Sequence, residues 1–295
     1  MAATQTITKI ATVQADGVEV FYRTAGPADA PTVVLLHGLP SSSHMFRNLI
    51  PLLATRYRVV APDLPGFGFT QIPAERDYKY TFAGLAQTFG AFVDALSLTR
   101  FAVYIFDYGA PTGFRFALDR PHAIAAIVSQ NGNAYTEGLG RSFWAQVEKL
   151  WASGAQEDRE ALRPLLELPA TQWQYHNASP HPEAIPPEAF HLDQALMDRP
   201  GNKEIQLDLF QDYGSNVKLY PQFQEYLRAS GVPVLTAWGK ADEIFVAPGA
   251  EAFKKDVRKL ETRWLDAGHF ALETNEQQVA EWMFEFFDKC EVFAA

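Results

Sequence analysis

Short apolar runs that alternate with helical segments constrain the fold of this chain more than any other feature. Two of these runs, Thr32–Leu36 and Phe101–Phe106, are rich in β-branched and aromatic residues. A strand needs such a sequence when both of its faces are covered, as in a parallel sheet. Between the two runs, residues 80–98 place apolar side chains at helical spacing, which predicts an amphipathic helix. Strand-helix-strand repetition predicts a parallel sheet with right-handed crossovers.

The same alternation continues on both sides of this unit and is interrupted once. It predicts further strands at residues 6–13, 18–23, 57–61, 124–128, 232–238 and Leu260–Leu265, and helices at 109–118, 249–253 and 277–287. Residues 131–228 break the pattern, because they are rich in Trp, Tyr, Gln and Pro and contain no clear strand. We predict an α/β core domain, residues 1–130 and 229–295, with a mostly parallel eight-stranded sheet flanked by helices, and a helical cap domain, residues 131–228.

Composition excludes several classes of partner. The net charge of −10 would not neutralise a nucleic-acid backbone or attract an anionic membrane. The single cysteine, Cys290, precludes a disulfide within the chain, which fits a reducing compartment. No segment reaches the roughly 18 apolar residues of a membrane span, and residues 1–10 lack the apolar core of a signal peptide. We expect a cytoplasmic monomer or homodimer that binds neither nucleic acid nor membrane.

One carboxylate stands at the junction of a predicted strand and a predicted helix. The segment 105–110 (Ile-Phe-Asp-Tyr-Gly-Ala) contains it as Asp107. A nucleophile elbow has this form, with small residues around a nucleophile on a strained strand-to-helix turn. Ile105 departs from the pattern, since a glycine usually stands two residues before a serine nucleophile. The alternative interpretation is an aspartate that caps the following helix.

A loop with oxyanion-hole character follows Thr32–Leu36. Its sequence is His-Gly-Leu-Pro, residues 37–40. A loop in this position supplies one backbone N–H of an oxyanion hole, here assigned to Leu39, and the residue after the nucleophile, Tyr108, supplies the other. The alternative is an ordinary Gly-Pro turn. His37 is expected to order the loop by hydrogen bonding and not to act as a base.

Two further side chains complete a candidate catalytic set. Asp242 follows the predicted strand at 232–238, and His269 follows Leu260–Leu265. An acid at a strand end can hold a histidine in the required tautomer and stabilise its charged form. Glu243 and Glu137 are rivals for that role, and we predict Asp242. The order nucleophile, acid, histidine along the chain is typical of hydrolases built on this kind of sheet.

Other motif classes are missing from the sequence. The five histidines outside the motifs have no context that favours catalysis: His44, His122, His176, His181 and His191. No cluster of His, Cys and carboxylates has metal-ligand spacing. The segment 66–68 (Gly-Phe-Gly) lacks the third glycine of a dinucleotide fingerprint. We expect neither a metal nor a cofactor.

Four segments together resemble the epoxide hydrolase and haloalkane dehalogenase branch of the α/β-hydrolase superfamily. They are residues 37–40, 63–70 (Asp-Leu-Pro-Gly-Phe-Gly-Phe-Thr), 107–109 and 268–270 (Gly-His-Phe). The resemblance covers nearly the whole core and implies an α/β-hydrolase fold with an inserted helical cap. It also implies a two-step reaction on a small apolar organic substrate. Asp107 attacks carbon to form an ester, and His269, supported by Asp242, activates the water that hydrolyses it.

The leaving group stays open between several chemistries. Haloalkane dehalogenases usually hold the halide with a tryptophan directly after the nucleophile and a second N–H donor, and fluoroacetate dehalogenases usually have an arginine after the nucleophile. This chain has Tyr108 there, and Leu39 offers no side-chain donor. Epoxide hydrolases protonate the ring oxygen with cap tyrosines, and Tyr213 resembles the later of these. We expect epoxide hydrolysis, ahead of dehalogenation or hydrolysis of another small substrate, with a non-catalytic binder as a remote alternative.

Seven residues are predicted to line the substrate site. They are His37, Pro40, Tyr135, Trp144, Trp151, Tyr213 and Phe270. Among the aromatic residues early in the cap, none matches the first ring-opening tyrosine well. The alternative for each cap aromatic is a packing role over an apolar pocket.

Overall fold

One eight-stranded sheet forms the centre of the protein. The structure is a computed structural model that describes residues 7–294. The strand order is β1-β2-β4-β3-β5-β6-β7-β8. The β1–β2 and β2–β4 pairs are antiparallel, and all others are parallel, so the predicted mostly parallel sheet is confirmed. The strands are β1 Lys9–Ala15, β2 Val18–Ala25, β3 Thr32–Leu36, β4 Arg58–Pro62, β5 Phe101–Phe106, β6 Ile124–Gln130, β7 Val234–Gly239 and β8 Leu260–Leu265. Residues 1–6, which include the start of the first predicted strand and most of the segment examined for a signal peptide, lie outside the described residues.

The most apolar strands occupy the centre of the sheet. Every residue of β3, β5, β6 and β7 is buried, whereas β1 and β8 at the edges are partly exposed. Helices cover both faces of the central strands, which explains why their sequences lack a polar alternation. The β3 and β5 limits coincide with those predicted.

Ten α-helices within residues 7–294 flank or cover the sheet. They are α1 Leu49–Leu53, α2 Phe82–Ala95, α3 Gly109–Asp119, α4 Arg141–Ser153, α5 Gln156–Glu160, α6 Leu168–His176, α7 Pro187–Met197, α8 Asn202–Ser230, α9 Ala247–Ala252 and α10 Leu272–Lys289. Helix α2 begins two residues later than predicted, because the Thr81 side chain accepts a hydrogen bond from Gly84 N and caps the helix. Helix α1 is not predicted, since its five residues are too few to show a helical period.

The insertion between β6 and β7 is helical and rests on the core through α8. Helices α4 to α8 all belong to it. Asp212 on α8 accepts a hydrogen bond from the Phe82 backbone N–H at 2.7 Å, at the start of α2. Phe223 stacks on Phe114 of α3 with ring centroids 5.2 Å apart. The division into core and cap domains stays a prediction. Within residues 7–294, no helix has both the length and the apolar character needed to cross a bilayer.

Candidate active site

The turn between β5 and α3 carries Asp107 in a backbone conformation that residues with a Cβ rarely adopt. Its φ is +48°, in the left-handed region. Such outliers persist where the surroundings enforce them, and they concentrate at functional sites. A methyl group on Gly38 would lie 2.1 Å from Asp107 Oδ1, and one on Gly109 would lie 2.3 Å from the Leu36 carbonyl oxygen. Both glycines are therefore required for the turn to pack against β3.

Ile105, the departure from the elbow pattern, is accommodated by a glycine elsewhere. A Cβ on Gly113, one turn into α3, would lie 2.9 Å from Ile105 Cγ2. In the usual motif, a glycine two residues before the nucleophile leaves this space. Here Gly113 of the helix leaves it instead. The departure is thus compatible with the strand-to-helix turn.

Backbone donors converge on the Asp107 carboxylate. Leu39 N donates to Asp107 Oδ1 at 2.6 Å, and the Tyr108 N–H also bonds to this carboxylate. The supporting loop is ordered by His37, whose Nε2 accepts from Leu64 N at 2.9 Å and whose Nδ1 donates to the Gly38 carbonyl at 3.2 Å. The Leu39–Pro40 peptide is cis. The residues predicted for an oxyanion hole are therefore grouped around Asp107.

His269 lies between Asp107 and Asp242. Its Nδ1–H donates to Asp242 Oδ2 at 2.7 Å, and its Nε2 lies 3.9 Å from Asp107 Oδ2. That second distance is too long for a hydrogen bond. Among the residues that the structure describes, buried Nε2 has no hydrogen-bond partner. With the proton on Nδ1, Nε2 is a free base directed at the Asp107 carboxylate.

Asp242, and neither rival, faces the histidine ring. Asp242 Oδ1 accepts from Ile244 N at 2.7 Å, so both of its oxygens are held. Glu137 pairs with Lys255. Glu243 accepts from the Asn177 side chain at 3.1 Å. The structure therefore brings Asp107, His269 and Asp242 together as predicted from their strand-end positions.

Aromatic side chains of the insertion surround Tyr213 beside Tyr108. The centroid of the Tyr213 ring lies 4.5 Å from that of Trp144 and 5.8 Å from that of Tyr108. The Trp151 ring is parallel to it, with centroids 6.2 Å apart. Both tryptophan N–H groups bond to backbone carbonyls, Trp144 to Ile244 and Trp151 to Phe210. Three of the predicted cap residues thus come together, but neither indole offers a free donor.

Two other predicted lining residues have structural partners. The Tyr135 hydroxyl donates to Asp256 at 2.8 Å, and its ring packs on Phe253. Tyr135 therefore connects the segment after β6 to the turn after α9. Phe270, next to His269, stacks on Tyr175 of α6 with centroids 3.9 Å apart.

Comparison with known proteins identifies the family. A family model described as alpha/beta hydrolase fold matches residues 31–276, most of the chain. The chain belongs to the α/β-hydrolase fold family. It is 52% identical over 275 residues to an uncharacterized hydrolase of Saccharomyces cerevisiae, a match that covers 92% of this chain and 94% of the yeast protein.

Solved structures of two enzyme classes share the fold. A haloalkane dehalogenase, DatA from Agrobacterium tumefaciens, superposes with a TM-score of 0.79 at 21% identity, covering 96% of this chain and 97% of that one. An epoxide hydrolase, VrEH1 from Vigna radiata, gives 0.75 at 22% identity, covering 96% and 98%. The motif-based resemblance to these neighbours is confirmed, and at such identities the likeness concerns the fold.

The charges in this α/β-hydrolase site influence one another. Burial raises the pKa of Asp107 to about 6, although the His269 charge and the two backbone donors lower it. For His269, burial lowers the pKa, but the charge and the hydrogen bond of Asp242, together with the Asp107 charge, outweigh burial and raise it. Both groups are almost inaccessible, with 4% of Asp107 and 3% of His269 exposed. A substrate must therefore enter a site that is closed in this conformation.

Three buried amides hold the α/β-hydrolase site from one short segment, residues 130–133, here termed the amide segment. Gln130 Nε2 donates to the His269 carbonyl at 2.9 Å. Asn131 Nδ2 donates to Asp242 Oδ2 at 2.7 Å, and Asn131 Oδ1 accepts from Gly239 N at 2.9 Å. Asn133 Nδ2 lies 3.3 Å from the Tyr220 hydroxyl.

None of these amides is among the candidates predicted from sequence. The sequence does place three amides within four residues at the end of a buried strand. Burying an amide without a hydrogen-bond partner is costly, so this pattern is a signal of hydrogen bonding. That signal predicts hydrogen-bond partners without saying which ones. Within residues 7–294, no group of three or more His, Cys, Asp or Glu side chains is arranged to hold a metal ion.

Proposed function

We propose that this α/β-hydrolase opens epoxides through a covalent ester on Asp107 and then hydrolyses that ester. The observation that carries the proposal is the geometry of a carboxylate at the nucleophile position, with one oxygen on backbone donors and the other facing the His269 base. A carboxylate is an adequate nucleophile for an electrophilic sp³ carbon. It needs no base to become one when it is ionised.

In the first step, Asp107 Oδ2 attacks a ring carbon. The Oδ2–C bond forms, the ring C–O bond breaks, and the ring oxygen takes a proton from Tyr213. Asp107 Oδ1, which accepts from Leu39 N, becomes the carbonyl oxygen of the ester. The ester is thus formed with its carbonyl already in contact with the backbone donors.

In the second step, His269 Nε2 takes a proton from water as the water oxygen adds to the Asp107 carboxyl carbon. The negative charge that develops on Oδ1 is stabilised by the N–H groups of Leu39 and Tyr108. The tetrahedral intermediate collapses and the bond between that carbon and Oδ2 breaks. Oδ2 takes the remaining proton of the added water and leaves in the diol, so that a carboxylate is restored at Asp107. The imidazolium proton returns through solvent to the Tyr213 phenolate, so the proton count balances.

Esterification increases the fraction of His269 that is unprotonated. The Asp107 charge is one of the causes that raise the pKa of His269. Because the ester is neutral, that cause disappears when the first step is complete. The His269 pKa therefore falls at the stage when an unprotonated imidazole is needed.

Donor chemistry favours an epoxide over a halide. The Trp144 and Trp151 N–H groups are occupied by backbone carbonyls, whereas phenols at positions 108 and 213 adjoin the nucleophile. A phenol can give a proton to an alkoxide. The second candidate is dehalogenation, favoured by the buried Tyr108 hydroxyl, which has no hydrogen-bond partner within residues 7–294 and could hold a halide.

The test traps the ester. A panel of epoxides, haloalkanes, haloacids and aryl esters is incubated with the His269→Gln variant, because only hydrolysis needs the base. We expect intact-protein mass spectrometry to show an adduct of the mass of an epoxide. In a single turnover of the unmodified protein in ¹⁸O-water, the label should appear in the peptide that contains Asp107 and be largely absent from the product.

The matched control is His122→Gln, which changes an exposed histidine and should accumulate no adduct. Label that goes directly into the product, with no adduct on the His269→Gln protein from an epoxide that the unmodified enzyme turns over, would mean that Asp107 acts as a base. Adducts from haloalkanes alone would favour the second candidate.

A further inference from the structure

Tyr213 belongs to a chain of three buried polar side chains. Its hydroxyl lies 3.3 Å from the Tyr220 hydroxyl, and Asn133 Nδ2 lies 3.3 Å from the same Tyr220 oxygen. The exposed fractions are 0% for Tyr213, 1% for Tyr220 and 0% for Asn133. Both tyrosines belong to α8, seven residues and about two turns apart, and therefore lie on one face of the helix.

The direction of the hydrogen bonds follows from donor chemistry. An amide nitrogen only donates, so Asn133 Nδ2–H must point to Tyr220. The Tyr220 proton is then directed to the Tyr213 oxygen, its other neighbour. Tyr213 accepts this bond and keeps its own proton, for which no second protein partner exists within residues 7–294. The chain therefore leaves one phenolic proton available, on the tyrosine nearer to Asp107.

Electrostatics assign different positions to the two phenols. Burial raises the pKa of Tyr213, and the Asp107 charge raises it further. Burial also raises the pKa of Tyr220, while the hydrogen bond from Asn133 lowers it. The charge of the nucleophile, Asp107, thus acts on the pKa of Tyr213. Tyr220 lies between Tyr213 and the amide segment.

We propose that Tyr220 is a positioning residue that stabilises Tyr213 as it gives up its proton, with Asn133 orienting Tyr220. The proposal rests on the proposed function, in which Tyr213 protonates the ring oxygen. As that proton leaves, Tyr213 becomes a phenolate that accepts the Tyr220 O–H. A neutral hydrogen bond then becomes a charge-assisted one, which is roughly twice as strong. The stabilisation is therefore larger in the transition state than in the resting enzyme, which is the condition for catalysis.

The test measures ester formation on the His269→Gln protein by rapid quench and intact mass, with an epoxide that forms the adduct, styrene oxide being tried first. We expect Tyr213→Phe to slow this step by about 10²-fold or more, as is typical for loss of a positioned acid. Tyr220→Phe should slow it by roughly 10-fold, the effect of one hydrogen bond to a charged group. The double variant should be no slower than Tyr213→Phe, because Tyr220 acts only through Tyr213.

Two measurements separate positioning from packing. Tyr226→Phe removes another largely buried phenol from α8 and should leave the rate unchanged. Replacing Tyr220 by 3-fluorotyrosine keeps the ring and strengthens the donor, so ester formation should become faster. This second protein tests the proposal even if Tyr220→Phe does not fold. A fluorinated protein no faster than the parent, or rate losses in the two phenylalanine variants that multiply in the double variant, would overturn the proposal.

The proposed function and the positioning role can fail separately. If no epoxide forms an adduct on the His269→Gln protein, the proposed function is wrong and the positioning role is wrong with it. If adducts form and Tyr213→Phe slows their formation while Tyr220→Phe does not, the proposed function survives and only the positioning role of Tyr220 is refuted.

Discussion

At the scale of single residues, the closed site ties the charge of Asp107 to that of His269. Each is almost fully buried, and each is a cause of the other's shifted pKa. In a buried site the attraction between a carboxylate and an imidazolium is weakly screened by solvent. Replacing the histidine therefore changes the pKa of Asp107 as well as removing the imidazole.

This coupling gives a prediction for the pH dependence of ester formation. Burial holds the pKa of Asp107 at about 6, and in the proposed reaction only the ionised form attacks. For the unmodified enzyme, kcat/KM for an epoxide should therefore rise with pH through about 6. In His269→Gln the charge that lowers the Asp107 pKa is gone, so ester formation should rise at a higher pH. The same midpoint for both proteins would contradict the assignment.

At the scale of secondary structure, the β3 loop and the β5–α3 turn meet with no space between them. The contact at Gly38 involves both the Asp107 carboxylate and the Tyr108 backbone nitrogen, since a Cβ at Gly38 would lie 2.1 Å from Asp107 Oδ1 and 2.5 Å from Tyr108 N. This close approach lets the Leu39 N–H reach Asp107. Gly38 thus determines the distance between Asp107 Oδ1 and the Leu39 N–H.

We predict that Gly38→Ala destabilises the protein by about 1–3 kcal/mol, the usual cost of overpacking, and lowers activity by at least about 10²-fold through misplacement of the nucleophile. Gly90→Ala is the matched control. A Cβ there meets no atom closer than 3.6 Å, and the position lies inside α2. The control should be stabilised by about 0.5–1 kcal/mol through helix propensity. Urea unfolding and steady-state kinetics measure both effects, and an active Gly38→Ala protein would refute the packing argument.

Sequence predicts the elements whose burial leaves a pattern. The central strands β3 and β5 are wholly apolar, so their limits are readable, and the loops that follow them bring Asp107 and Leu39 together. Helix α1 and the arrangement of α4 to α8 are not readable, because their limits depend on tertiary packing. The hydrogen-bond partners of Asn131 and Asn133 are 111 and 87 residues away in the chain. Local residue spacing therefore cannot predict these contacts.

At the scale of the whole molecule, the insertion is joined to the core by a buried polar cluster as well as by apolar packing. Asp193 of α7 accepts from the Tyr175 hydroxyl at 2.5 Å. Burial raises the pKa of Asp193 to about 8, the Tyr175 and Ser41 hydrogen bonds lower it, and the Glu273 charge raises it again. Glu273 is itself paired with Arg47 at 2.5 Å. The folded protein therefore keeps a proton on Asp193 at neutral pH.

We predict that this proton makes stability fall as pH rises from about 4 to about 8. Over that range the unfolded chain has lost the Asp193 proton and the folded protein still binds it, so deprotonation favours unfolding. Asp193→Asn should flatten the dependence, measured as the free energy of urea unfolding between pH 5 and pH 8. Asp94→Asn is the control, since its hydrogen bond to Arg120 lowers its pKa and should affect only more acidic conditions. An unchanged slope in Asp193→Asn would refute the assignment.

The amide segment bears on any attempt to build a chimera with a foreign cap. The boundary predicted from sequence falls between residues 130 and 131, and a splice there would replace Asn131 and Asn133 with whatever the donor carries. The core would then lose the hydrogen bond from Asn131 to Asp242 and the contact of Asn133 with Tyr220. A junction after Tyr135 would retain Asn131 and its hydrogen bond to Asp242. The foreign cap would then need a tyrosine that contacts Asn133, as Tyr220 does here.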